Sequence, residues 1–161
     1  MRDTLRLIFA LALPVAVGFL AGRVTAPAVA SWYPELARPA FTPPAWVFAP
    51  VWTALYLAMG VAAWLVWRRG LGTPGVAVAL AVFLVQLALN GLWSLLFFGM
   101  RSPLAGLADI ALLWIAVIAC TALFFARSRW AGLLMVPYAA WVSFAAALNA
   151  SIWYLNRPGA G

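Results

Sequence analysis

Trp52 and Tyr56 stand four residues apart, a spacing that puts both rings on one face of a helix. Gln86, Asn90, Trp93 and Phe97 follow at steps of four, three and four. Tyr138, Trp141, Ala145 and Asn149 follow at steps of three, four and four. Side chains of these kinds stack, donate N–H groups and accept at amide oxygens. They are poorly suited to proton transfer or nucleophilic attack. The chain has no histidine, which removes His-dependent triads, His-based zinc sites and His haem ligation. No catalytic residue and no metal-ligand set is expected. Cys120 is the only cysteine and cannot form an intrachain disulfide. What the three stripes suit is a flat apolar ligand, held by stacking and a few hydrogen bonds. Each also has a plainer reading, as hydrogen bonds between helices or as an interfacial aromatic belt.

The elements that must carry these residues are apolar. Of 161 residues, 68% are hydrophobic and 8% charged, with a mean hydropathy of +1.05. A soluble core of this size needs far less apolar surface, so the class is integral membrane protein. Five continuous runs, Leu5–Val24, Trp46–Trp67, Gly75–Phe98, Pro103–Ala126 and Ala131–Leu155, each approach the ~20 residues that a helix needs to span a bilayer. A transmembrane barrel would instead show alternating segments of ~10 residues. The expected fold is therefore all-α: one domain over 1–161, a single bundle of five transmembrane helices. The first run has a second reading as a cleavable leader, with Arg2 and Arg6 ahead of it and Ala28-Val29-Ala30 as a small-residue cleavage site. Arg23, Pro14 and Pro27 fit a retained helix better. Gly18 and Gly22 form a GxxxG step within it, which permits close helix approach.

Because the chain reverses at every link, Trp52, Tyr56, Asn90, Asp109, Trp141 and Asn149 fall in one half of the membrane, beneath the long connection 25–45. Pro27, Pro34, Pro39, Pro43 and Pro44 are expected to prevent a continuous helix there. Trp32, Tyr33 and Phe41 make the connection a candidate lid, or an interfacial belt. Asp109 is the only acid within a run. An intramembrane ion suggests function, while its place near a helix N-terminus suits a structural anion.

All ten cations are arginines, and with three acids they give a net charge of +7. The arginines cluster at helix ends, where positive flanks set orientation and meet lipid headgroups, so the expected partner is the bilayer rather than nucleic acid. Six (Arg2, Arg6, Arg68, Arg69, Arg127 and Arg129) lie on the N-terminal side. Four (Arg23, Arg38, Arg101 and Arg157) lie on the other. In a bacterial inner membrane that bias places the N-terminus inside; an outer or organellar membrane would void the rule. Leu148, Tyr154 and Arg157 match the loose cholesterol pattern, which many helix ends also match.

Three blocks resemble the translocator protein family, also called tryptophan-rich sensory proteins or peripheral-type benzodiazepine receptors. They are Arg38–Tyr56, with Pro43-Pro44-Ala45-Trp46, Trp52 and Tyr56; Leu89–Gly99, with Asn90-Gly91-Leu92-Trp93; and Pro137–Asn149, with Pro137-Tyr138-Ala139-Ala140-Trp141. Their order and spacing, with Trp32-Tyr33 before the loop, cover about residues 5 to 157. The resemblance implies a five-helix bundle, usually a homodimer, that binds porphyrins, sterols and benzodiazepine-type ligands under the first loop. It implies no required cofactor, with protoporphyrin IX as the expected ligand. Family ligand-site positions match Tyr33, Trp52, Asn90, Trp141 and Ala145, and further Pro43, Tyr56 and Leu96; sterol-motif positions match Tyr154 and Arg157. Phe41 departs from the family, which often has Trp there. The resemblance implies a membrane receptor or sensor, with Trp52, Tyr56 and Trp141 stacking on ligand and Asn90 orienting it. The alternatives are a light-dependent porphyrin-degrading enzyme and a small-molecule transporter coupled through Asp109.

Overall fold

In a computed structural model, residues 2–158 are described, the side chain of Arg2 excepted. Five helices fill this span: α1 (Arg2–Ser31), α2 (Ala45–Trp67), α3 (Val76–Ser94), α4 (Pro103–Arg127) and α5 (Arg129–Asn156). All five are long and apolar enough to cross a membrane, α3 when extended to Gly99. A 3₁₀ turn at Tyr33–Glu35 lies in the first loop, and a π-helical turn at Leu95–Gly99 prolongs α3.

The largest departure from expectation is the end of α1. The helix does not stop near Val24; it runs through Pro27 to Ser31, so the irregular loop is 32–44 rather than 25–45. A proline inside a helix removes one backbone bond, and membrane helices tolerate this where nearby groups satisfy the freed atoms. Ser31 Oγ donates to Pro27 O at 2.8 Å, which steadies the last turn. Pro14 leaves the carbonyl of Ala10 without its helical donor. That carbonyl faces Gly60 of α2 so closely that a Cβ there would sit 2.8 Å from it. The other shifts are small. The link between α4 and α5 is Ser128 alone, not 127–129. Its extended backbone caps α5, with Ser128 Oγ accepting from Ala131 N at 3.4 Å.

Helices α2 to α5 surround the core. Met59, Ala62, Val66, Val76, Val117, Cys120, Phe124, Met135 and Tyr138 are fully enclosed there. α1 lies outside this group: 11% of its most apolar window is buried, against 33–39% for the other helices. Lipid tails are as apolar as leucine, so close backbone approach rather than hydrophobic expulsion must hold α1 in place. Gly18 supplies one such approach, since a Cβ there would overlap the Tyr56 ring. At Gly22, its GxxxG partner, a Cβ would meet nothing within 4 Å. Only half of that step is a packing device.

Candidate functional site

Under the first loop, α1, α2, α3 and α5 enclose a cavity of about 510 Å³, within the size range of ordinary small-molecule sites. Antiparallel passage brings the N-terminal turns of α2 to the same level as the C-terminal turns of α3 and α5. Two aromatic walls result. On one, Trp52 stacks on Tyr56 with centroids 5.4 Å apart and meets Trp141 edge-on at 6.5 Å. Phe48 and Phe144 extend that wall from either side of Trp141, at 5.9 and 5.5 Å. On the other wall Trp93 stacks on Phe97 at 5.2 Å and meets Phe98 edge-on at 5.7 Å. Phe97 and Phe98, both in the π-helical turn, line the cavity. Such turns recur at functional positions in helices.

No charged residue lines this space. Its polar groups are largely engaged within the protein. Tyr56 Oη donates to Asn90 Oδ1 at 2.6 Å, and Asn90 Nδ2 donates to Tyr138 Oη at 3.2 Å. Tyr138 Oη then donates to Gln86 Oε1 at 2.8 Å. Asn149 joins three helices, accepting from Trp93 Nε1 at 3.0 Å and donating to Pro103 O at 2.8 Å. Asn90 thus lines the cavity while both amide atoms already have partners. Among the described residues the indole N–H groups of Trp52 and Trp141 form no hydrogen bond within the chain, which leaves them as donors toward a ligand.

The loop closes the top. Tyr33 is buried against Phe97 and Phe98, with centroids at 6.5 and 5.7 Å, and Trp32 meets Phe97 at 5.8 Å. Phe41 reaches Phe144 at 6.2 Å, so the phenylalanine found where the family often has tryptophan still packs on the site. Burial raises the pKa of the Tyr33 phenol above its ordinary value, and the neighbouring Arg38 guanidinium opposes that rise. The loop is fastened to the end of α5 by one side chain: Ala37 N donates to Asn156 Oδ1 at 3.0 Å, and Asn156 Nδ2 donates to Ala37 O at 2.9 Å. The side of the cavity is open. Phe19, Gly22 and Ala26 of α1, with Ala49 and Thr53 of α2, line it and are also exposed on the outer surface.

Of the expected positions, Tyr33, Trp52, Tyr56, Asn90, Trp141 and Ala145 line the cavity, as does Leu148. Pro43 and Leu96 do not. Pro43 lies in the loop above, and Leu96 falls outside the face that Asn90, Trp93, Ser94, Phe97 and Phe98 share at helical spacing. The three sterol-pattern residues do not share one face. Leu148 points into the cavity, while Tyr154 is exposed beneath the Arg157 guanidinium, 4.1 Å from its ring. Asp109 is buried behind the lining with Oδ2 unpartnered among the described residues. Sequence reasoning missed Phe48, Ser94 and Phe144 in the lining, each one helical turn from a residue it did select. It also missed Asn156, for which the sequence offers no signal.

An all-helical membrane bundle with an aromatic cavity closed by a proline-rich loop is the class that fold and site define. The chain belongs to the TspO/MBR family, whose model matches residues 10–155. It is 49% identical over 157 residues to the tryptophan-rich protein TspO of Chlorobaculum tepidum, covering 96% of this chain and 98% of that one. It is 43% identical over 154 residues to the protein of the same name from Archaeoglobus fulgidus, covering 96% and 99%. To the translocator protein of Homo sapiens it is 40% identical over 127 residues, covering 78% and 75%. With its five spanning helices, the chain is a multi-pass integral membrane protein.

Proposed function

We propose that this protein is a membrane receptor or sensor that holds a tetrapyrrole, protoporphyrin IX in the first instance, in the cavity beneath the first loop. The observation that carries this reading is the two groups of stacked aromatic rings that line about 510 Å³ of uncharged space. A flat conjugated ring fits between such walls, stacking on them as aromatic pairs do. The two unengaged indole donors suit acceptor atoms on the ligand. A relative from Cereibacter sphaeroides is named a tryptophan-rich sensory protein, which supports a sensing role. We include the homodimer in this reading; a mass near that of one 17.3 kDa chain in detergent, after correction for bound detergent, would remove it.

The test is titration of purified protein with protoporphyrin IX, followed by tryptophan quenching. Trp141→Ala should weaken binding about two- to twelvefold, the equivalent of ~0.5–1.5 kcal/mol of lost aromatic contact. Trp153→Ala, outside the lining, should leave affinity near wild type. Equal losses from both changes would refute the pocket.

Two other readings differ from this one in observable ways. Asp109 lies outside the lining, which favours binding over transport coupled through that residue. The edge-on contact of Trp52 and Trp141 would allow radical transfer to a bound ring. Irradiation with and without oxygen, beside free porphyrin under the same light, separates the receptor from a porphyrin-degrading enzyme, because only the enzyme yields a chromophore that free porphyrin does not.

A further inference from the structure

The cavity is mostly apolar and uncharged, whereas the space next to it on the loop is polar. There an open concavity of about 430 Å³ is lined by Leu36, Arg38, Pro39, Thr42, Pro43 and their neighbours. The two spaces share Ala45, the first residue of α2. They also meet across one contact: the Arg38 guanidinium lies 5.2 Å from the centre of the Tyr33 ring, whose other surroundings are the cavity's Phe97 and Phe98. Arg38 has no ion-pair partner among the described residues. Among the described residues the one ion pair joins Arg68 to Asp3, at the opposite end of the bundle. Glu35, the acid nearest in sequence, does not line the concavity. Among the residues that line either space, Arg38 is thus the one cation, and it stands at the rim of an uncharged aromatic chamber, on the loop that closes it.

We propose that cavity and concavity form one composite site for a flat apolar molecule bearing a carboxylate at its edge. The ring system lies between the aromatic walls, and the carboxylate is received by Arg38. Guanidinium is the group best shaped for this, because its planar fork matches a carboxylate with two parallel hydrogen bonds. The arrangement also fixes direction. A carboxylate turned inward would meet no cation and would lose its hydration without compensation, so the charged edge must face the loop. This inference rests on the tetrapyrrole reading above and assigns the propionate edge of such a ligand. It sets apart carboxylated ligands from neutral ones, such as sterols, which gain nothing from Arg38.

The experiment compares protoporphyrin IX with its uncharged dimethyl ester, in neutral detergent, on wild type, Arg38→Gln and Arg38→Lys. Because the two ligands partition differently into detergent, the quantity read is how each substitution changes the ratio of their affinities. Arg38→Gln should lower the preference for the free acid about 1.5- to 5-fold, the range for a partly exposed charge pair, and leave ester affinity unchanged. Arg38→Lys should retain part of the preference, and added salt should erode it in wild type. A ratio unmoved by Arg38→Gln overturns the proposal. So does an equal loss for acid and ester, which would make Arg38 a support for Tyr33 alone. A change of ratio seen only in nanodiscs containing phosphatidylglycerol would assign Arg38 to lipid phosphate and overturn it too. If neither ligand binds wild type saturably, the tetrapyrrole reading itself fails and takes this proposal with it.

Discussion

Asn90 shows how a residue can belong to a site without being free to act in it. Its amide lies between two tyrosine hydroxyls, one at the cavity wall and one fully enclosed. Asn90→Leu therefore leaves Tyr56 and Tyr138 each short of a partner. The expected cost is about 1–2 kcal/mol, toward the upper end for polar contacts between membrane helices. Thermal unfolding in detergent should show this loss, whereas Trp141→Ala should lower porphyrin affinity with a smaller change in melting temperature. Tyr138→Phe should reproduce much of the Asn90→Leu loss, since it breaks the same chain one link further in. The lettering of the sequence marks Asn90 as polar and buried. It does not reveal that the partners come from α2 and α5, because hydrogen-bond pairing across helices depends on rotation angles that spacing alone leaves open.

At the scale of elements, one sequence motif has two uses. Gly18 packs on Tyr56 and Gly22 faces the open side of the cavity. Gly18→Val should drive the Tyr56 ring from its place and destabilise the bundle by about 1–3 kcal/mol, as overpacking does. A Cβ at Gly22 would meet nothing within 4 Å, so Gly22→Ala should spare stability and narrow the entrance, slowing porphyrin association. Stopped-flow quenching alongside thermal unfolding tells the two apart. The loop offers another test: Asn156→Ala removes both of its bonds to Ala37, and porphyrin should then leave faster, with amide exchange rising between Trp32 and Phe41. The five helices were legible because long apolar runs bounded by arginine, glycine and proline admit few other readings. The continuation of α1 past Pro27 was not, since a proline's cost depends on how the surroundings accommodate the carbonyl it frees, here that of Arg23. The π turn was hidden as well. Nothing in Leu95–Gly99 distinguishes it from an α-helix by composition.

For the molecule as a whole, the arginines again give a direction. With six at the N-terminal end and four at the loop end, the loop should face outward in a bacterial inner membrane. Cys120, the native cysteine, is buried. A membrane-impermeant maleimide should therefore label Ser31→Cys in intact spheroplasts, and Thr73→Cys only after permeabilisation. The reverse pattern would invert the bundle. The open flank between α1 and α2 carries a different consequence. Exposed lining residues such as Phe19 and Ala49 abut acyl chains, so a ligand arriving there comes from the oil phase and not from water. Occupancy is then governed by how many ligand molecules each lipid carries. Adding empty vesicles at constant total pigment should strip the protein of it, even where the dissolved pigment hardly changes, and the bilayer becomes the solvent in which this receptor takes its reading.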